Sequence, residues 1–174
     1  MNKILKGFKL TTLGACLTLA LTTGVITTAA SAASNVDEVR AAQAAKISLK
    51  QAITIASKSA SGILISADFD EDDSDAIGKG GVYELEFSTD SVNYEVKVDA
   101  NTGKIVKKET DRLDGDGINV YQVQKKAKTD IMKAINIAEK QTGGKILEIE
   151  FENDRDYTNH TAYYKADLLK GNKI

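Results

Sequence analysis

The chain has 174 residues, with 23 basic and 25 acidic side chains, a single histidine, a single cysteine and neither tryptophan nor proline. The net charge is −2, and −5 without residues 1–32, a mildly acidic balance that argues against nucleic acid and anionic lipid as partners. One histidine cannot assemble a two-histidine zinc site, and the single cysteine, Cys16, lies far from it in the sequence, which gives no sign of a cysteine–histidine pair.

The N-terminus reads as an export signal. Lys3, Lys6 and Lys9 precede a run from Leu10 to Ala33 without a charged residue, and Ala30-Ser31-Ala32 offers small residues at alternate positions for cleavage before Ala33. Two other outcomes stay open. The uncharged run is long enough to remain as a membrane anchor, and Leu13-Gly14-Ala15-Cys16 has the form of a lipoprotein signal in which Cys16 becomes lipidated. Removal of residues 1–32 takes away three lysines and no acid, leaving 20 basic and 25 acidic residues and a net charge of −5. The mature chain then has no cysteine, so a hydrophobic core, not disulfides, must hold it together. Its expected location is secreted or cell-surface, with no membrane contact after signal cleavage.

Residues 33–46 lack a convincing apolar face and read as a linker. From Ser48 the chain repeats itself: SLKQAITIASKSASG (48–62) aligns with DIMKAINIAEKQTGG (130–144) at a constant offset of 82. Downstream, Ile65, Ala67 and Phe69 fall on Leu147, Ile149 and Phe151. After the loss of one residue, Tyr83, Leu85 and Phe87 fall on Tyr164, Ala166 and Leu168. Each copy opens with a helix, because Leu49, Ala52, Ile53 and Ala56, like Ile131, Ala134, Ile135 and Ala138, share one helical face. Ser48 with Gln51 forms a capping box, Asp130 is the equivalent N-cap, and Gly62 and Gly144 are the expected left-handed C-terminal residues.

After each helix the apolar period becomes two. Ile63 to Phe69, Tyr83 to Phe87 and Tyr94 to Val98 read as half-buried antiparallel strands, and the turn Asp99-Ala100-Asn101-Thr102-Gly103 leads into a short last strand at Lys104-Ile105-Val106. Leu113 to Gly117 is a turn-rich connector between the copies. The second copy ends early: Tyr164 to Leu168 runs into a Gly171-Asn172 turn with no return strand. This half is therefore expected to be the less stable, and to take a strand from the first module, from another copy of the chain or from a partner.

The acidic run Asp68 to Asp75 does not have the calcium-loop pattern. Counted from Asp68, position six is Asp73 and position twelve is Lys79; with Gly117 at position six, Arg112 is first and Val123 twelfth. It reads as a solvated loop between strands. His160, near Asp154 and Asp156, reads as an exposed loop histidine, and Asn159-His160-Thr161 has the form of a glycosylation sequon. Paired carboxylates for glycoside hydrolysis would lack an aromatic sugar platform, since aromatics make up 6% of the chain.

The helix SLKQAITIASK, the strand Val82-Tyr83-Glu84-Leu85-Glu86 and above all Tyr94-Glu95-Val96-Lys97-Val98-Asp99-Ala100-Asn101-Thr102-Gly103-Lys104-Ile105 resemble the PepSY module. The resemblance covers 47 to about 108 well and 129–174 less fully, because the second stretch lacks the Asp-Ala-x-Thr-Gly turn. It implies an α+β fold of tandem modules, each one helix on a small antiparallel sheet, with the second module short of its last strands. The implied boundaries are a signal peptide (1–32), a linker (33–46), a first module (47–110), a connector (111–128) and an incomplete second module (129–174). It also implies a bacterial exported protein that is not an enzyme, has no cofactor or metal, and acts in trans on a secreted peptidase as inhibitor or modulator. The alternative is a structural or envelope-associated domain with no peptidase partner. The family's shared residues look like fold determinants, so no catalytic or binding residue is carried over. Self-association through the open sheet edge is also expected.

Overall fold

The computed structural model describes residues 16–20, 26–29, 36–78, 80–153 and 162–174. The cleavage region Ala30 to Ala33, Lys79, Asp154, Asp156, Asn159 and His160 lie outside them. Strands β1 (Cys16–Ala20) and β2 (Ile26–Ala29) come first, followed by helices α1 (Val36–Ala44) and α2 (Leu49–Ala56). Strands β3 (Ile63–Asp70), β4 (Val82–Ser88), β5 (Val92–Asp99) and β6 (Ile105–Arg112) follow. Helices α3 (Gly115–Gln124) and α4 (Ile131–Thr142) and strands β7 (Lys145–Glu152) and β8 (Tyr163–Leu169) complete the chain.

The α+β class and the antiparallel sheet are as expected, but the picture of two small sheets on a connector is not. All eight strands form one sheet in the order β2-β1-β8-β7-β3-β4-β5-β6. The junction is β3 against β7, where Ala67 pairs with Ile149 and Ser66 with Glu150. Ala67 and Ile149 are partners at the 82-residue offset, so the two halves meet about a local two-fold axis through that pair, as in an isologous interface. A small sheet with one apolar face has an unpaired edge on each side, and joining the two halves removes two of those edges.

α2 and α4 lie on one face of this sheet, bridged by Lys50 Nζ to Glu139 Oε2 at 2.6 Å. Beneath them Ala67, Phe69, Tyr83, Leu85, Phe87, Val96, Val98, Ile149, Phe151 and Tyr164 are buried, with the helix residues Ala52, Ile53, Ala134 and Ile135, in one core. Corresponding details recur in both halves. The Tyr83 hydroxyl donates to the Ile47 carbonyl at 2.8 Å, and the Tyr164 hydroxyl to the Thr129 carbonyl at 2.7 Å, each at the residue before a helix cap. Phe69 lies 5.3 Å from Tyr83, and Phe151 the same 5.3 Å from Tyr164. Burial raises the Tyr164 phenol to about 12 and holds Tyr83 well above its ordinary range.

The caps at Ser48 and Asp130 form as expected: Ser48 Oγ accepts from Gln51 N while Gln51 Oε1 accepts from Ser48 N, and Asp130 Oδ1 accepts from Lys133 N at 2.8 Å. At the other ends the expectation was displaced. The left-handed residue closing α4 is Gly143, not Gly144, while α2 ends at Ala56 with a right-handed cap at Ser57. Gly62 does have positive φ, 107°, but its reason is contact: a Cβ there would stand 2.2 Å from the Ser88 carbonyl oxygen.

Both stretches read as linkers contain helices. In 33–46, α1 buries Val39 and Ala42; in 111–128, α3 buries Tyr121 and Gln124, again 82 residues on. The two buried positions on each helix are too few to stand out in the sequence, and tertiary contact supplies the rest. These helices cross over. Gln124 Nε2 of α3 donates to the Leu64 carbonyl on β3 at 2.7 Å, whereas α1 receives Lys145 Nζ of β7 on its Ala42 carbonyl at 3.3 Å. β6 extends eight residues to Arg112, well past the expected short strand, because its backbone pairs with β5 along its length even though its side chains are charged and exposed. Every buried side chain described lies between Val39 and Ile174.

Candidate functional site

Strand alternation places the helix-covered residues on one sheet face and a dense set of charges on the other. Across the strands these charges stand in rows. In one row Lys107 faces Lys97, Lys97 faces Glu84 and Glu84 faces Asp68. Beyond the junction, on the same face, Glu148 faces Asp167. In the next row Glu109 faces Glu95, Glu95 faces Glu86 and Glu86 faces Ser66. Ser66 faces Glu150, and Glu150 faces Lys165. Like charges directly opposite one another are unfavourable, so carboxyls here bind protons more tightly than usual.

Burial, then Glu148, Asp70 and Glu84, raises Asp68 to about 8. Burial, then Glu84 and Glu95, raises Glu86 to about 7; burial, then Glu152 and Glu148, does the same for Glu150. Glu148 and Glu95 are raised too, by burial first and then by Asp167 and Glu84 respectively. Glu38 on α1 reaches about 7 through burial and the nearby Glu71, Asp167 and Glu148. The acidic character thus spans the junction between the halves.

The loop between β3 and β4 is clasped to this face by two β5 residues. Lys97 Nζ lies 2.6 Å from Asp73 Oδ2 and 3.1 Å from Glu84 Oε2, with Asp75 and Glu95 just under 4 Å away. Burial opposes its charge, but the hydrogen bonds to Asp73 and Glu84 outweigh this and hold the ammonium above its ordinary range. Asp73 is correspondingly lowered: its burial is overcome by the Lys97 bond and by the Asp75 N–H.

The second clasp is Asp99, which is fully buried. Its Oδ1 accepts from Thr102 N at 2.8 Å and Thr102 Oγ1 at 2.6 Å, while Oδ2 accepts from Ile77 N at 2.8 Å. These bonds overcome burial and depress its pKa. Asp99 therefore does two things: it closes the Asp-Ala-x-Thr-Gly turn and ties down the acidic loop.

The acidic run is accordingly not one solvated loop. Asp68 and Asp70 belong to β3, Asp73 is nearly buried against Lys97, and only part of the run is open to water. Asp70, Glu71 and Asp72 bring carboxylate oxygens within 4.8 Å of one another, but the Asp72 N–H already donates to Asp70 Oδ1 at 3.1 Å, as in an ordinary Asx turn. A groove beside α2 and the start of α4, lined by Ile53, Leu64, Phe87, Ile131 and Met132, has Asp130 as its titratable group, and that side chain is engaged as a helix cap. The charged rows were legible in principle, since the strand period alone puts Glu84, Glu86, Glu95, Lys97, Glu148 and Glu150 off the apolar positions.

Residues 46–109 match the PepSY family, described as the peptidase propeptide and YPEB domain. The matched stretch contains α2, β3, β4, β5 and most of β6, including both clasps. PepSY is a non-catalytic, peptidase-associated type of module. No curated protein matches the chain. Among solved structures, a candidate lipoprotein from Clostridium difficile 630 is similar, with 25% identity over 73% of this chain and 81% of that one, at a TM-score of 0.42. No helix among the described residues is long and apolar enough to cross a membrane.

Proposed function

We propose that the chain is an exported, non-catalytic binding protein made of two tandem PepSY-like copies, the second short of its last strands, that modulates secreted peptidases in trans. The observation that carries the reading is the match of residues 46–109 to a family described by peptidase propeptides. The second copy is supported by the matched places of Tyr83 and Tyr164, Phe69 and Phe151, and Ala67 and Ile149 in the sheet. Export is supported by the basic start and the uncharged run from Leu10 to Ala33. The acidic sheet face offers a peptidase a rigid, charged surface, built on strands and not on loops. A second reading, an envelope-associated domain, is favoured by Leu13-Gly14-Ala15-Cys16.

Titration of the chain from Ala33 onward against the producing cell's own extracellular peptidases is expected to change the rate or the processing of at least one of them. No effect on any would overturn the modulator reading. The mass of the native protein separates the two readings, because a chain beginning at Ala33 carries no lipid on Cys16.

A further inference from the structure

Without β1 and β2, the sheet of β3 to β8 is bounded by β6 and β8, and these two edges differ in kind. β6 is defended by Lys107, Lys108, Glu109, Asp111 and Arg112, a density of charge that discourages strand addition. β8 has the sequence Tyr163-Tyr164-Lys165-Ala166-Asp167-Leu168-Leu169, and its outer edge accepts a strand in this structure: β1 lies antiparallel on it, with Leu17 opposite Ala166 and Thr18 opposite Lys165. The end of that edge is bounded by the C-terminal turn, where Lys170 and Lys173 bridge. β1 belongs to the uncharged N-terminal run read as a leader, so the strand on β8 is one that processing would remove.

We infer that β8 is a self-complementary edge which, once residues 1–32 are gone, joins two copies of the chain by antiparallel β8–β8 pairing centred on Ala166. That register sets Ala166 against Ala166 on the two-fold axis, with Tyr164 against Leu168 and Lys165 against Asp167 each occurring twice about it. The apolar pairs continue the helix-covered face, where Tyr164, Ala166 and Leu168 are buried. The charged pairs continue the acidic face, and there the partner's Lys165 would stand beside Asp167, which already faces Glu148 within one sheet. The partner's lysine at the acidic end of that row relieves the like-charge contact. The pairing repeats between chains what β3 and β7 do within one, where Ala67 meets Ile149 about a local two-fold axis. A strand of about five residues, Tyr164 to Leu168, is long enough for it.

The test is the oligomeric state of the chain from Ala33 onward by sedimentation, together with Lys165→Asp and Asp167→Lys variants checked for folding by circular dichroism. The unmodified chain is expected to be a dimer. Each variant alone places like charges opposite one another and should dissociate at least 10-fold more readily, whereas an equimolar mixture of the two restores both opposite-charge pairs and should re-form the dimer. The full chain, with β1 in place, should stay monomeric in mild detergent. A monomeric processed chain, a dimer indifferent to Asp167→Lys, a mixture of folded variants that fails to associate, or a full chain that dimerises would each overturn the inference.

Discussion

Replacing Asp99 by alanine is expected to destabilise the fold by about 4 kcal/mol, because hydrogen bonds to a charged group contribute roughly 1.5–3 kcal/mol each and the carboxylate gives up three of them at once. Asp99 is fully buried and accepts from Ile77 N, Thr102 N and Thr102 Oγ1, so the truncation strands two backbone donors and a hydroxyl together. Asp99→Asn keeps the shape and one acceptor oxygen, and should cost about half as much. Urea unfolding measures both. The second expected sign is local: amide exchange at Ile77 should accelerate in Asp99→Ala far more than exchange at Leu85 or Val96 in the sheet interior, because the loop loses its anchor before the sheet opens. A loss below about 1 kcal/mol would mean that the turn holds without its carboxylate and that the loop is secured elsewhere.

Stability should fall as pH rises from 5 to 8.5, by on the order of 3 kcal/mol once solvent screening and coupling between the sites are allowed for. A carboxyl whose folded pKa lies above its unfolded value binds its proton more tightly in the folded state. Its contribution is complete below the unfolded value and is lost as pH climbs through the folded one. For Asp68 that interval runs from 3.8 to about 8, and for Glu86 and Glu150 from 4.5 to about 7. Asp73 and Asp99 act oppositely, since their depressed pKa values give stability that disappears as pH falls below the ordinary aspartate value of 3.8. The optimum therefore belongs in acid, at about pH 4, where the raised carboxyls still hold their protons and the depressed aspartates are still ionised. Urea midpoints across this range provide the check, and Asp68→Asn with Glu150→Gln should flatten the alkaline limb. A midpoint that is level or rises between pH 5 and 8.5 would contradict the acidic-face account.

The helices α2 and α4, their N-caps and the alternating strands could be read directly because local pattern and final position agree: Leu49, Ala52, Ile53 and Ala56 form a helical stripe and are all buried. What could not be read was tertiary. Nothing in the period-2 pattern of Ile63 to Phe69 says which edge of the strand will meet β7, and the single sheet follows from that choice. α3 begins with Gly115 and Gly117, poor helix formers, and is tied to the other half by Gln124, which reaches the Leu64 carbonyl. β6 looks short in the sequence because its charges past Val106 have no alternation, and an edge strand solvated on its outer side needs none. Asp99 reads as a turn residue, but its bond to Ile77, twenty-two residues away, has no signature in local sequence.

The central claim is that the stretch matched to PepSY and the stretch from α4 to β8 fold as one unit across the Ala67–Ile149 junction. Native-state hydrogen exchange on the chain from Ala33 onward tests it most directly. The account predicts that the slowest amides of β3, β4 and β5 and those of β7 share one opening free energy, equal to the global unfolding value, and fall together with added urea. If β7 and α4 open at a distinctly lower free energy while β4 and β5 stay protected, the two halves are separate modules and the continuous sheet does not act as one.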